Sequence, residues 1–92
     1  MEFEHKKFGK CVLVEINQKQ LEDFMRGMKG KENEPLTIWH GESVRTAVRL
    51  GLLTEPVLTP EGVDNAKPGL IRWLSDCISK MFAEATSIDP LS

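Results

Sequence analysis

Ninety-two residues, 40% of them hydrophobic and 28% charged, suffice for one domain spanning residues 1–92 and fall outside the composition of disordered chains. Twelve basic against fourteen acidic side chains leave a net charge of −2, which tells against a dedicated nucleic-acid or anionic-membrane binder, because either would carry a basic stripe. No apolar run approaches the roughly 20 residues of a bilayer span, no signal-peptide apolar region follows Met1, and the two cysteines are too few for a disulfide framework; a soluble, cytoplasmic protein with reduced thiols is expected.

Residues 11–16, Cys-Val-Leu-Val-Glu-Ile, are short and β-branched and read as a strand. Phe8-Gly9-Lys10 is a turn signal ahead of it, so residues 2–7 supply the other arm of a hairpin. In that arm Phe3 and His5 share one face, with Glu2, Glu4 and Lys6 on the other. A helix follows. Asn17 is a good N-cap, Gln20 completes a capping-box pair, and Leu21, Phe24, Met25 and Met28 fall on one stripe at i, i+3, i+4 and i+7. Gly30 stops it, and the charged, Gly- and Pro-punctuated residues 29–35 form a surface loop.

In residues 36–39, Leu-Thr-Ile-Trp, the pattern breaks. If a helix centred on Val44 ran back through them, Ile38 and Trp39 would point away from the Val44, Ala47 and Val48 stripe. Extended or looped structure is therefore expected there, with a short third strand as one option, and the helix proper starts near residues 41–43. It ends at Gly51, where Leu52 and Leu53 pack back in a Schellman-type cap. Thr59-Pro60-Glu61 reads as a short helical turn with a threonine cap. The last helix starts at Pro68 and stops before Asp89-Pro90. Leu70, Ile71, Leu74, Cys77, Ile78, Met81, Phe82 and Ala85 form its apolar arc, while Arg72, Asp76, Lys80 and Glu84 mark a solvated face. The expected fold is α+β: an N-terminal β-hairpin packed against three α-helices, the C-terminal one longest.

The sequence offers no argument for catalysis. Cys11, Cys77, His5 and His40 are the soft metal donors, but no two stand at a ligand-pair spacing, so no metal is expected. Cys11 and His5 could face one another in some hairpin registers, yet nothing in the sequence would activate that thiol. The carboxylates are scattered outside apolar runs, and the glycines do not cluster before a helix as a phosphate loop requires. No cofactor is expected, and the chain reads as a non-enzyme.

Binding remains. Trp73 falls outside the apolar arc of the last helix: either the hairpin or the 52–60 loop covers it, or it projects as an interface anchor. Trp39 faces the same choice. Met25, Met28 and Met81 offer either core or an adaptable surface. Arg45 and Arg49, at i and i+4, are a candidate partner-binding pair that could join Lys6, Lys7 and Lys10 in a basic patch. A protein partner is the leading expectation, a small nucleic-acid-binding or regulatory domain the alternative, and a homo-oligomer is compatible with either.

One stretch also carries a likeness. Val44, Ala47 and Gly51 lie in a helix ending Leu-Gly-Leu-Leu, followed by Pro56, Val63-Asp64, Pro68, a long helix with Trp73-Leu74, Ile78 and Ala85, and Ile88-Asp89-Pro90. This layout, over about residues 44–90, resembles small proteins encoded beside the tail genes of tailed phages and prophages, among them tail assembly chaperones. The resemblance implies a chaperone that binds and shields the long tape-measure protein or tail tube subunits during assembly, in the host cytoplasm. It assigns no residue a role, because the matching positions are core and cap positions.

Overall fold

The computed structural model describes residues 1–87, which run β1 (Glu2–His5), β2 (Gly9–Leu13), α1 (Gln18–Met28), α2 (Leu36–Arg49), β3 (Leu53–Glu55), α3 (Pro60–Asn65) and α4 (Pro68–Ala85). The three strands form one antiparallel sheet in the order β1-β2-β3. The α+β architecture is the expected one, with the N-terminal hairpin against helices and the 18-residue C-terminal helix the longest. The described residues hold four helices rather than three. The turn begun at Thr59 continues to Asn65, its start fixed by the Gly62 amide donating to the Thr59 hydroxyl at 3.0 Å.

The hairpin turns two residues earlier than expected. Lys6, Lys7 and Phe8 form the turn, and Gly9, with φ +87°, closes it opposite His5; such a three-residue loop needs a residue in the left-handed region. β2 ends at Leu13 rather than running to residue 16. Its second partner, β3, is only three residues long, and the register shifts between Val12 and Leu13.

The third strand is thus Leu53–Glu55, not residues 36–39. Residues 36–39 are the first turn of α2 instead, the Trp39 amide donating to the Pro35 carbonyl at 2.9 Å. The clash between helix and stripe is resolved by exposure. Ile38 is simply left 46% exposed, and Trp39 is half-buried against the edge of the core.

The remaining helix boundaries follow their signals. Asn17 and Gln20 make the reciprocal capping box, each backbone amide reaching the other's side chain at 2.9 Å. α2 stops in a full Schellman motif: Gly51 has φ +70°, its amide reaches Val48, and the Leu52 amide reaches Ala47 at 2.9 Å.

The interior lies where α2 and α4 cross beneath the sheet, with Cys11, Leu13, Val44, Ala47, Leu52, Leu74, Cys77 and Ile78 all but fully buried. At the crossing, the Ser43 and Ser75 hydroxyls meet at 2.8 Å, and Ser43 also donates to the His40 carbonyl at 2.9 Å. Small side chains let the helices approach, and both buried hydroxyls are satisfied, so hydrogen bonding offsets the cost of their desolvation.

Met25 and Ala85, both assigned to apolar stripes, lie outside the core. Met25 is 64% exposed, because α1 meets the body on a face centred on Phe24 with Gly27 and Met28 at its sides. Ala85, the last residue of α4, is exposed beyond the residues that cover Met81. The Ile88-Asp89-Pro90 stop lies outside the described residues.

Candidate functional site

Along α2, Leu36, His40, Ser43 and Ala47 stand at i, i+4, i+7 and i+11 and share one helical face. Burial along that face is graded: Ala47 is 0% exposed, Ser43 4%, His40 half-buried, and Leu36 72% exposed. The face that builds the interior at one end opens to solvent at the other. The opening is a groove of about 730 Å³, walled by Leu36, Thr37, His40 and Gly41 of α2, by Val63, Asp64 and Ala66, and by Pro68, Ile71, Arg72 and Asp76 of α4.

Gly41 shapes one wall. A glycine inside a helix costs about 1 kcal/mol relative to alanine, so it calls for a reason. Here a Cβ would stand 3.3 Å from the Arg45 guanidinium, which lies across the bare backbone. From there Arg45 donates to Glu42 at 2.9 Å and to Asp64 through Nε at 3.1 Å and through Nη2. It ties α3 to α2 and closes that side of the groove. Such partly exposed pairs contribute only about 0–1 kcal/mol each, so the role is positional more than energetic. The rim carries both signs, Arg72 and Arg45 against Asp64 and Asp76, around the apolar Leu36, Val63, Ala66 and Ile71.

Of the four residues singled out as partner contacts, Arg45 lines this groove. Arg49 is exposed and borders a shallow depression with Glu42, Arg45, Pro60, Glu61 and Asp64. Trp39 rests half-buried on the core. Trp73 is half-buried under the hairpin, its ring centroid 5.4 Å from that of His5 and 6.0 Å from that of Phe8. Among the basic residues, Lys10 is paired with Glu2 at 3.1 Å, and Lys7 lies 5.6 Å above the Phe8 ring. Sequence reasoning missed Leu36, His40 and Gly41 as groove residues, weighing His40 only as a metal donor. The signal that would have found them is the spacing of Leu36 and His40 to Ser43 and Ala47, visible only once Pro35 is taken as a helix start.

The soft donors separate. His5 sits with Trp73, His40 in the groove, and Cys11 with Cys77 in the core. Across the hairpin Cys11 pairs with Phe3, not with His5. Burial, reinforced by the neighbouring Cys77, pushes the Cys11 thiol up to about 12, and burial raises Cys77 as well. Both thiols are therefore held protonated, the reverse of an activated nucleophile.

The sign of the pH dependence follows. Above about pH 9 the unfolded chain ionises Cys11 while the folded chain keeps it protonated, so folding stability falls as pH rises from about 9 toward about 12, and the raised Cys77 acts in the same direction. Cys11 alone contributes a slope of up to roughly 1 kcal/mol per pH unit in that window. Urea midpoints at about pH 8 and about pH 10 check this, and the drop should shrink in Cys11→Ala.

No family model, curated protein or solved structure matches this chain.

Proposed function

We propose that the chain is a non-enzymatic assembly factor that binds a protein partner in the groove between α2, α3 and α4, in the manner of a phage tail assembly chaperone. The observation that carries this reading is Leu36. A lone exposed leucine is ordinary on any protein surface. This one continues a face whose other end is completely buried, and it does so at the lip of a groove. A client helix presenting anchors at i, i+3, i+4 and i+7 would extend that packing, as helix-in-groove recognition does. The partner class, a tape-measure or tail tube protein, comes from the resemblance of residues 44–90, and shielding such a chain before assembly requires no cofactor. The protonated state of both thiols also favours a binding role over nucleophilic chemistry.

Leu36→Glu separates binding from folding. At a position 72% exposed, it should change stability by less than about 0.5 kcal/mol. Wild-type protein should co-purify with a tail tape-measure segment or a tube subunit, and the variant should lose that retention. Equal retention by both proteins contradicts the groove. Retention of neither tail protein by the wild type removes the partner class, and heparin binding that falls steeply with salt would favour the nucleic-acid alternative.

A further inference from the structure

We infer that Cys11 and Cys77 form a reversible disulfide that staples the N-terminal hairpin to α4, giving the domain a second covalent state set by small-molecule disulfides. The register places the pair. Phe3 lies opposite Cys11, so His5, two residues on from Phe3, shares the sheet face of Cys11. His5 meets Trp73 with ring centroids 5.4 Å apart, and Cys77 stands one helical turn beyond Trp73 on the same side of α4. α4 therefore runs along the hairpin so that residues 73 and 77 meet His5 and Cys11 in turn. Both thiols lie in the one core cluster, at 0% and 2% exposure. The chain has no other cysteine to compete.

The chemistry balances with one co-reactant, a low-molecular-weight disulfide such as oxidised glutathione. A thiolate formed on one cysteine attacks a sulfur of that disulfide, making a mixed disulfide and expelling one small thiolate. The second cysteine loses its proton and attacks the protein sulfur of the mixed disulfide. The Cys11–Cys77 bond closes and the second small thiolate leaves. The protein gives up two electrons and two protons, which depart in two small thiols.

Burial sets the rate. The first attack requires the hairpin to lift from α4, so oxidation reports local opening and accelerates as pH rises. Because the bond closes the long loop between residues 11 and 77, the oxidised form should melt higher by on the order of 10 °C.

The test incubates the wild-type chain with excess oxidised glutathione and follows intact mass, free thiols in denaturant and melting temperature. The expected product is a monomer lighter by two hydrogens, without free thiols, melting higher, and restored by dithiothreitol. Cys77→Ser should instead accumulate a single glutathione adduct. Two adducts on the wild type, disulfide-linked dimers, or thiols still free after the unfolded chain has fully reacted would overturn the inference, as would an oxidised monomer that melts lower. Should Cys77→Ser fail to fold, the wild-type mass decides alone.

Discussion

Leu74→Asp should abolish the cooperative unfolding transition of this domain. Leu74 is 0% exposed, on the α4 face against α2 and the sheet. Losing a buried leucine costs about 2–5 kcal/mol through lost contacts and the cavity left behind. An ionised carboxylate without a partner in the same place costs several kcal/mol more. Together these match the whole stability of a domain this size, on the order of 5–10 kcal/mol. Circular dichroism during a thermal or urea scan should show a broad, non-cooperative change, whereas Leu74→Met should keep a sharp transition within about 1.5 kcal/mol of wild type. A wild-type melting temperature for Leu74→Asp would mean that α4 presents a different face to the core.

Gly27→Ala should also destabilise, against the usual rule. Within a helix, alanine for glycine gains about 1 kcal/mol. At residue 27 the new Cβ would stand 2.7 Å from the Thr46 γ-methyl, closer than carbon atoms tolerate. Thr46 has no room to yield: it is 3% exposed, its hydroxyl donates to the Glu42 carbonyl at 2.8 Å, and it lies 3.5 Å from the Met28 sulfur. Overpacking of this kind costs about 1–3 kcal/mol, which outweighs the propensity gain. The diagnostic is a double-mutant cycle. In a Thr46→Ser background the methyl is gone, and Gly27→Ala should become neutral or stabilising. Stabilisation already in the wild-type background would contradict the contact between α1 and α2.

Local chemistry made much of the fold legible. Asn17 with Gln20, Gly51 with Leu52, Thr59 with Pro60, and Pro68 each satisfy or pre-set backbone groups within a few residues, so their signals need no knowledge of the rest of the chain. Features set by distant partners were not legible. β3 is three residues whose only reason to be a strand is the edge of β2, and so short a run has no periodicity. Gly27 reads as a helix weakness until Thr46 is placed beside it.

The start of α2 shows the sharper difficulty. Apolar residues off the buried stripe argued against a helix at 36–39, since periodicity assumes that apolar side chains are covered. Ile38 is not, at 46% exposed, while Leu36, on the stripe itself, lies open where that stripe becomes the groove wall. Trp73 shows the converse. Its position off the arc left two fates open, and the hairpin lays His5 and Phe8 against it, leaving it half-buried.

Backbone amide exchange of the wild-type chain, alone and saturated with a tail tape-measure segment, tests partner binding at the α2–α4 groove directly. Exchange should slow at residues 36–41 and 66–72 on binding, with the β1–β2 hairpin unchanged. Protection confined to the hairpin, or none along the Leu36 wall in a saturated complex, would contradict it.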